Sequence, residues 1–294
     1  MDRKLSPRTG VLMLLGVASC FASNHLCARI AFDHGASVIA AVSVRATFTS
    51  VVLLVMMHVQ GIRVAIPREL RGKTLFAGLL IASQSYCLYS AVALIPPALA
   101  LLVFQTSPML YVLLTWALGK ERPRWRALWP MALALTGLAL ALNLGPGHVD
   151  KDWVTLRTGV AWAFASGASM TVVYYLNANA LKPIDGRLRT FAMTAVTALI
   201  VIVAGAASGA HVFPRDGLGW LGIMLLACFY CVAMMSLFYL LPRLPTTTTA
   251  ALNFEPIALL VLTWLFLDIT VAPLQIVGAL LTVGAIAWLG LSKG

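Results

Sequence analysis

The sequence predicts an all-α membrane protein in which ten transmembrane helices form two inverted five-helix repeats. Three observations favour this fold class. Apolar residues make up 61% of the chain and charged residues only 11%, with a mean hydropathy of +0.91, whereas soluble domains are roughly one quarter charged. The apolar residues fall in runs of about 20, the length at which a helix spans the hydrocarbon layer. Finally, one 20-residue stretch occurs twice, at 97–116 and 245–264.

The duplicated stretch reads PALALLVFQTSPMLYVLLTW in its first copy and PTTTTAALNFEPIALLVLTW in its second. Scarce residues recur in register: Pro97 with Pro245, Pro108 with Pro256, and Leu-Thr-Trp at 114–116 with the same triplet at 262–264. Each copy is predicted to be a helix interrupted by proline, with polar residues at mid-depth. Interrupted helices in matching halves indicate a transport site.

The ten apolar runs are separated by short links that carry turn residues such as Pro and Gly. The predicted helices lie at 9–32, 37–60, 73–95, 97–118, 125–144, 157–181, 188–208, 218–241, 246–267 and 272–291. The longest link, 145–156, is interpreted as the hinge between the halves. The predicted repeats are therefore 1–147 and 148–294.

The distribution of positive charge predicts the orientation, because cytoplasmic loops retain Lys and Arg. With the N-terminus inside, 16 of the 21 Lys and Arg residues lie on the cytoplasmic side, four lie on the other side, and Arg45 lies within a span. Both termini are therefore expected in the cytoplasm of a cell whose inner (plasma) membrane holds the protein. Five helices per half is an odd number, so the second repeat must be inverted, an architecture that supports alternating access.

Several function classes are not expected. The net charge of +11 is spread over short links rather than gathered in one patch, so no nucleic acid partner is predicted. Cys228 and Cys231 form a C-x-x-C inside a span, but without a second pair or a nearby His the motif predicts neither a metal site nor a cofactor. No catalytic motif or residue set at plausible depth indicates an enzyme.

Glu255 is the strongest single candidate for a functional residue. It lies about ten residues into the ninth predicted helix, near the midplane, directly before Pro256. A charge at the bilayer centre costs about 2.5–3.5 kcal/mol on insertion scales, so such a residue needs a reason. It is either a carboxylate that binds protons or cations in a transport cavity, or a protonated Glu that hydrogen-bonds to loosened backbone.

Arg45 lies in the second predicted helix, at a membrane depth similar to that of Glu255. We expect the two side chains to pair; the alternative is that Arg45 binds a carboxylate of the substrate. Asn24 and His25 lie near Arg29 at the outer end of the first helix, where they form either a gate or an interfacial cluster.

Large amides at mid-membrane depth extend the predicted site. Gln84, Gln105 and Asn253 are too bulky for close helix packing, whereas small hydroxyl residues are common packing contacts. Trp162 is interpreted as either cavity wall or interfacial belt. The predicted cavity lies between the first, third, fourth, sixth, eighth and ninth helices. The substrate-binding prediction comprises Asn24, His25, Arg45, Gln84, Tyr86, Gln105, Trp162, Ser166, Asn253 and Glu255.

Three short motifs resemble the ten-helix EamA-type branch of the drug/metabolite transporter superfamily. They are Val44-Arg45-Ala46, the Ser107-Pro108 helix that ends in Gly119-Lys120-Glu121-Arg122, and Phe254-Glu255-Pro256. Two departures stand beside them: Phe266-Leu267-Asp268-Ile269 replaces the usual second Gly-Glu, and Ser169-Met170 replaces a Trp-Ala. The resemblance implies exporters or exchangers of amino acids and other small metabolites.

The predicted function is therefore secondary transport of a small polar or zwitterionic metabolite, with protons as a coupling partner. The alternatives are a membrane-embedded enzyme and a structural membrane protein without transport activity. Convergence of a carboxylate, an arginine and amides at mid-depth favours transport over a structural protein, which would not require it, and the lack of a catalytic motif argues against an enzyme.

Overall fold

A computed structural model describes residues 7–119, 125–141, 153–240, 243–244, 251–267 and 272–291. Within these ranges the chain is helical and contains no strand. The helices are α1 (Pro7–Asp33), α2 (Val38–Val59), α3 (Arg68–Leu94), α4 (Pro97–Phe104), α5 (Ser107–Ala117), α6 (Trp125–Ala141), α7 (Trp153–Ala178), α8 (Gly186–Ser208), α9 (Gly217–Leu240), α10 (Glu255–Leu267) and α11 (Pro273–Leu291).

These helices make ten span-like segments, in agreement with the predicted number. Within the described ranges, seven segments are long and apolar enough to cross a membrane, and α4 and α5 together form one of them, Pro97–Ala117. The other three are shorter apolar helices, Trp129–Ala141, Ala251–Leu267 and Pro273–Trp288.

Two predicted helix boundaries are wrong at charged ends. The third helix begins at Arg68 rather than at 73, and the sixth begins at Trp153 rather than at 157. Hydropathy falls where charges enter, but a helix continues into the headgroup region because water and headgroups solvate those charges there. The predicted hinge at 145–156 is therefore helical from Trp153 onward, and its remaining residues lie outside the described ranges.

The helices of the two halves interlock. Helix α1 packs chiefly on α9, and α3 packs chiefly on α7. Each of these contacts joins a helix of the first half to a helix of the second. Three further contacts join equivalent helices of the two halves: α2 with α8, α6 with α11, and α4 with α10. The broken fourth span thus lies against the helix that carries Glu255.

Helices α6 and α11 cross backbone to backbone. A Cβ atom on Gly137 would lie 2.7 Å from the carbonyl oxygen of Gly278, and one on Gly278 would lie 2.5 Å from that of Gly137. Neither position tolerates a side chain. Thr282 Oγ1 donates to the carbonyl oxygens of Gly278 (2.8 Å) and Ala134 (3.3 Å), which holds the two helices at this distance.

Two loop junctions close opposite ends of α2 and α8. The neutral junction joins 29–37 to 209–216. There Ser37 Oγ donates to the Ala210 carbonyl (2.7 Å), the Ser37 N–H donates to the Val212 carbonyl (2.8 Å), and His34 Nδ1 lies 2.5 Å from Asp216 Oδ2. The Gly219 N–H, and then His34, lower the pKa of Asp216.

The basic junction joins 60–73 to 179–189. Arg187 Nη1 donates to Gln60 Oε1 at 2.7 Å, and Arg187 Nη2 lies 3.0 Å from Asp185 Oδ2. The Arg187 guanidinium lowers the pKa of Asp185 by hydrogen bonding to it. The helix ends on both sides of this junction are thereby fixed to one another.

Candidate functional site

The fourth span is broken in its middle. Helix α4 ends at Phe104, Gln105 and Thr106 form a turn, and α5 begins at Ser107 with Pro108 in second position. Proline is tolerated there because the N–H groups of a first helical turn have no intrahelical partner. The predicted proline interruption of this span is confirmed.

Helix α7 seals the first break. Thr171 Oγ1 donates to the Ser107 carbonyl at 3.1 Å, and a Cβ atom on Gly167 would lie 3.2 Å from the Phe104 carbonyl oxygen. The Ser107 hydroxyl is buried and interacts with the side chain of Tyr174, which is also on α7. The break is therefore held mainly through its backbone.

The second break has the same proline signature. Residues 251–254 form a 3₁₀ turn, and α10 begins at Glu255 with Pro256 in second position. Glu255 was predicted to lie about ten residues inside a helix; the α-helix starts at this residue after the 3₁₀ turn, and 246–250 of the predicted helix lie outside the described ranges. A helix N-terminus stabilises a nearby negative charge, so the position suits a carboxylate.

Glu255 faces helix α1. Its Oε1 atom lies 3.4 Å from His25 Nε2, and the exposed fractions of the two side chains are 21% for Glu255 and 6% for His25. The other ring nitrogen of His25, Nδ1, is buried with no partner among the described residues. A carboxylate and an imidazole therefore meet inside the bundle.

The expected pairing of Arg45 with Glu255 is wrong. Arg45 is buried, and its guanidinium donates to Ser85 Oγ (2.7 Å) and Tyr89 Oη (3.3 Å). It also lies over the rings of Tyr89 and Tyr230, 4.8 and 4.3 Å from their centroids. Among the described residues no carboxylate lies within ion-pair distance of Arg45. Two aromatic faces stabilise the cation in place of a carboxylate.

Tyr89 extends this network to α1. Its hydroxyl lies 2.8 Å from the side-chain amide of Asn24. With its nitrogen facing Tyr89, that amide also donates to the Leu226 carbonyl of α9 at 3.0 Å. The Tyr89 ring packs 5.7 Å from the His25 ring. Tyr89 thus connects Arg45 to the residue that pairs with Glu255.

Ser85 extends the network to α7. Its hydroxyl donates to Gln84 Oε1 at 3.2 Å, and Gln84 Nε2 donates to Ser166 Oγ at 3.3 Å. Ser166 Oγ in turn donates to the Gln84 carbonyl at 3.0 Å. Hydrogen bonds therefore run without interruption from Asn24 on α1, through α2 and α3, to Ser166 on α7.

Tyr86 and Trp162 form an aromatic contact on the same pair of helices. Their rings are edge to face with centroids 5.8 Å apart, and Tyr86 is 39% exposed. Gln105 and Asn253 lie in the two breaks, each half-buried, and the hydrogen bonds of the described residues do not connect them to this network. The ten predicted residues thus divide into four in the hydrogen-bonded network, the His25 and Glu255 pair, an aromatic pair and two amides at the breaks.

The sequence prediction missed the residues that join this group. Tyr89, Ser85 and Tyr230 were not predicted as site residues, although Ser85 and Tyr89 are four residues apart on one helix face. Tyr174 was missed as well; it interacts with Ser107 and electrostatically with Glu255. Within the described ranges no group of three or more His, Cys, Asp or Glu could hold a metal ion.

Comparison with known proteins decides the family. The family model of the EamA-like transporter family matches this chain twice, at residues 8–143 and 157–291. The chain belongs to the EamA-like transporter family. One solved protein crystal structure matches with a TM-score of 0.65 and 18% identity, covering 97% of this chain and 98% of that one. At that identity the likeness shows the fold alone.

The double match confirms the resemblance drawn from the three short motifs. The EamA-like transporter family is a family of transporters and not of enzymes. Its members are multi-pass membrane proteins that act on small molecules. Each matched copy in this EamA-like transporter contains one proline-bearing break, and α4 packs against α10. The His25 and Glu255 pair lies beside the second break.

Proposed function

We propose that this EamA-like transporter exports or exchanges a small polar metabolite, such as an amino acid, by alternating access across the cell inner (plasma) membrane. The observation that carries the proposal is the Glu255 carboxylate, which starts a helix beside a break and faces His25 inside the bundle. Such a charge is costly within a membrane and is retained where it binds substrate or ions.

Alternating access is supported by the arrangement of the halves. The family model matches two consecutive copies, and α1 and α7 each pack mainly on a helix of the other half. Five spans per repeat imply repeats of opposite orientation at 1–147 and 148–294. Inverted repeats around a central site give two related arrangements, each open to one side. The excess of Lys and Arg in one set of loops supports cytoplasmic termini.

The chemistry around the breaks favours a substrate that carries an amine. Glu255 can accept hydrogen bonds from an ammonium group, while Gln84, Gln105 and Asn253 offer amides that donate and accept. Tyr86 and Trp162 offer apolar faces with polar edges. In this proposal Arg45 and Asn24 position the site through Tyr89 rather than contacting substrate.

Proton coupling follows from the same pair. A cationic substrate group and a proton compete for the Glu255 carboxylate. Binding of one therefore promotes release of the other, so a proton gradient can drive substrate in the opposite direction. The transporter would then exchange a small metabolite for protons.

Counterflow in proteoliposomes tests the transport function. A panel of radiolabelled amino acids, amines and neutral sugars is offered to liposomes preloaded with the unlabelled compound. We expect amine-bearing compounds to accumulate above empty liposomes and neutral sugars not to do so. Absence of counterflow for every compound would contradict transport.

Gln84→Leu tests whether the amides contact substrate. Loss of a hydrogen bond worth about 1.4 kcal/mol raises KM about tenfold. The control is Ser83→Ala, one position away on the exposed face of the same helix. Equal KM values in the two variants would remove Gln84 from the binding site.

A further inference from the structure

The two loop junctions differ in charge. The neutral junction contains Arg29 and Arg215 with Asp33 and Asp216, so its net charge is zero with His neutral. The basic junction contains seven cationic side chains and two carboxylates, Glu69 and Asp185, so its net charge is +5. The cations are Arg63, Arg68, Arg71, Lys73, Lys182, Arg187 and Arg189.

The basic junction is one built surface rather than two separate loops. The hydrogen bond from Arg187 to Gln60 joins its two segments at 2.7 Å. Beneath that bond, Ile62 and Ile66 of one segment pack in one apolar cluster with Leu181 and Ile184 of the other. The positive charges are therefore held close together by the fold.

The structure compensates little of this charge. Asp185 is already engaged by Arg187 through contacts of 3.1 and 3.0 Å. Arg71 and Arg189 donate to backbone carbonyls, which are neutral acceptors. Arg68 begins α3, where the helix macrodipole opposes a cation. An external anion is therefore the partner that complements the surface.

We propose that the basic junction binds the headgroups of anionic phospholipids. It lies where α2 and α7 end and α3 and α8 begin, so it is at the level of the bilayer headgroups. Clustered Lys and Arg next to membrane-spanning helices attract anionic headgroups, and basic pockets between such helices bind them. The inference rests on the fold and the charges, not on the proposed transport function.

The test measures thermal unfolding of the detergent-solubilised full chain with added phosphatidylglycerol or phosphatidylcholine. We expect phosphatidylglycerol to raise Tm and phosphatidylcholine to leave it unchanged, since a ligand that binds only the folded state stabilises it. The triple variant Arg63→Gln, Arg68→Gln, Lys182→Gln removes exposed cations of the junction and should lose at least half of the rise. The control Arg157→Gln, Arg215→Gln removes exposed cations elsewhere and should keep it.

Native mass spectrometry of the same variants gives a second measurement, the number of phosphatidylglycerol molecules retained, and we expect fewer on the triple variant only. Raising NaCl to 1 M shortens the Debye length from about 10 to about 3 Å, so the rise in Tm of the unmodified protein should fall by at least half. Equal effects of the two lipids, equal responses of the two variants, or an equal rise with inorganic phosphate would each overturn the proposal.

Discussion

The two interrupted spans share a backbone design and differ in charge. Both breaks place proline at the second position of the helix that follows, after Ser107 in the first and after Glu255 in the second. At the first break the corresponding side chain is a neutral, buried hydroxyl that interacts with Tyr174. At the second it is a carboxylate that faces His25. The break is thus a duplicated scaffold, while only the second copy has a charged site.

The helices that cover the two breaks differ accordingly. Helix α7 meets the first break with Gly167 and Thr171, which contact its backbone. Helix α1 meets the second with His25, which contacts a side chain. The first break is therefore sealed through backbone contacts, and the second is covered by a contact between two side chains. Four substitutions test this contrast.

Glu255→Gln should have the largest effect, because glutamine keeps the shape and hydrogen bonding of Glu255 but cannot titrate. In proteoliposomes, substrate exchange should remain measurable while stimulation by an imposed pH gradient is abolished. Uptake with and without the gradient measures this. An unchanged response to the gradient would reject Glu255 as the coupling residue and leave facilitated diffusion.

His25→Ala should reduce transport about tenfold, since an unpartnered buried group costs about 1–3 kcal/mol. The readout is kcat/KM from initial uptake rates. The matched control is Thr106→Val at the first break, which removes a hydroxyl that donates to the Val103 carbonyl of the same span and should change kcat/KM less than threefold. Similar losses in both variants would mean that the two breaks contribute alike.

Thr171→Val should lower the free energy of unfolding by about 1 kcal/mol, because it removes the hydroxyl that donates to the Ser107 carbonyl. Thermal unfolding in detergent measures the effect. Thr158→Val on the same helix is the control, since Thr158 Oγ1 donates only within α7, to the Val154 carbonyl. A Tm for Thr171→Val no lower than that of the control would show that α7 does not brace the first break.

Ser107→Ala should have the smallest effect, within about 0.5 kcal/mol of the unmodified protein, because it removes one neutral hydroxyl and leaves the contacts of α7 with the backbone of the break intact. Both Tm and initial uptake rates should be retained. A loss of uptake with Tm intact would instead place Ser107 in the substrate path and weaken the contrast between the breaks.

Proline and hydropathy made the scaffold predictable from the sequence. Pro108 and Pro256 mark both breaks, and the apolar runs give the ten segments, because these properties are local in the chain. The partner of Arg45 was not predictable in this way. Depth along a helix follows from counting residues, but the direction in which a side chain points depends on how the helices pack. Arg45 shares its depth with Glu255 and still points to Tyr89 and Tyr230.

The same distinction explains why Tyr89 was missed. A tyrosine in an apolar helix is ordinary packing material, and nothing in its neighbours predicts complete burial between Arg45, Asn24 and His25. Only the meeting of four helices gives it that role. The charged site residues could be predicted from the sequence, whereas the role of Tyr89, which connects them, could not.

The crossing of α6 and α11 limits how this protein can move. Gly137 and Gly278 bring two backbones into contact, so neither helix can turn about its own axis without driving a neighbouring side chain into the other. Whatever rearrangement the remaining helices undergo, this pair must travel as one rigid body. It therefore supplies an internal reference frame: spin labels on α6 and α11 should report one unchanging distance, against which displacements of α1, α3 and α7 can be measured.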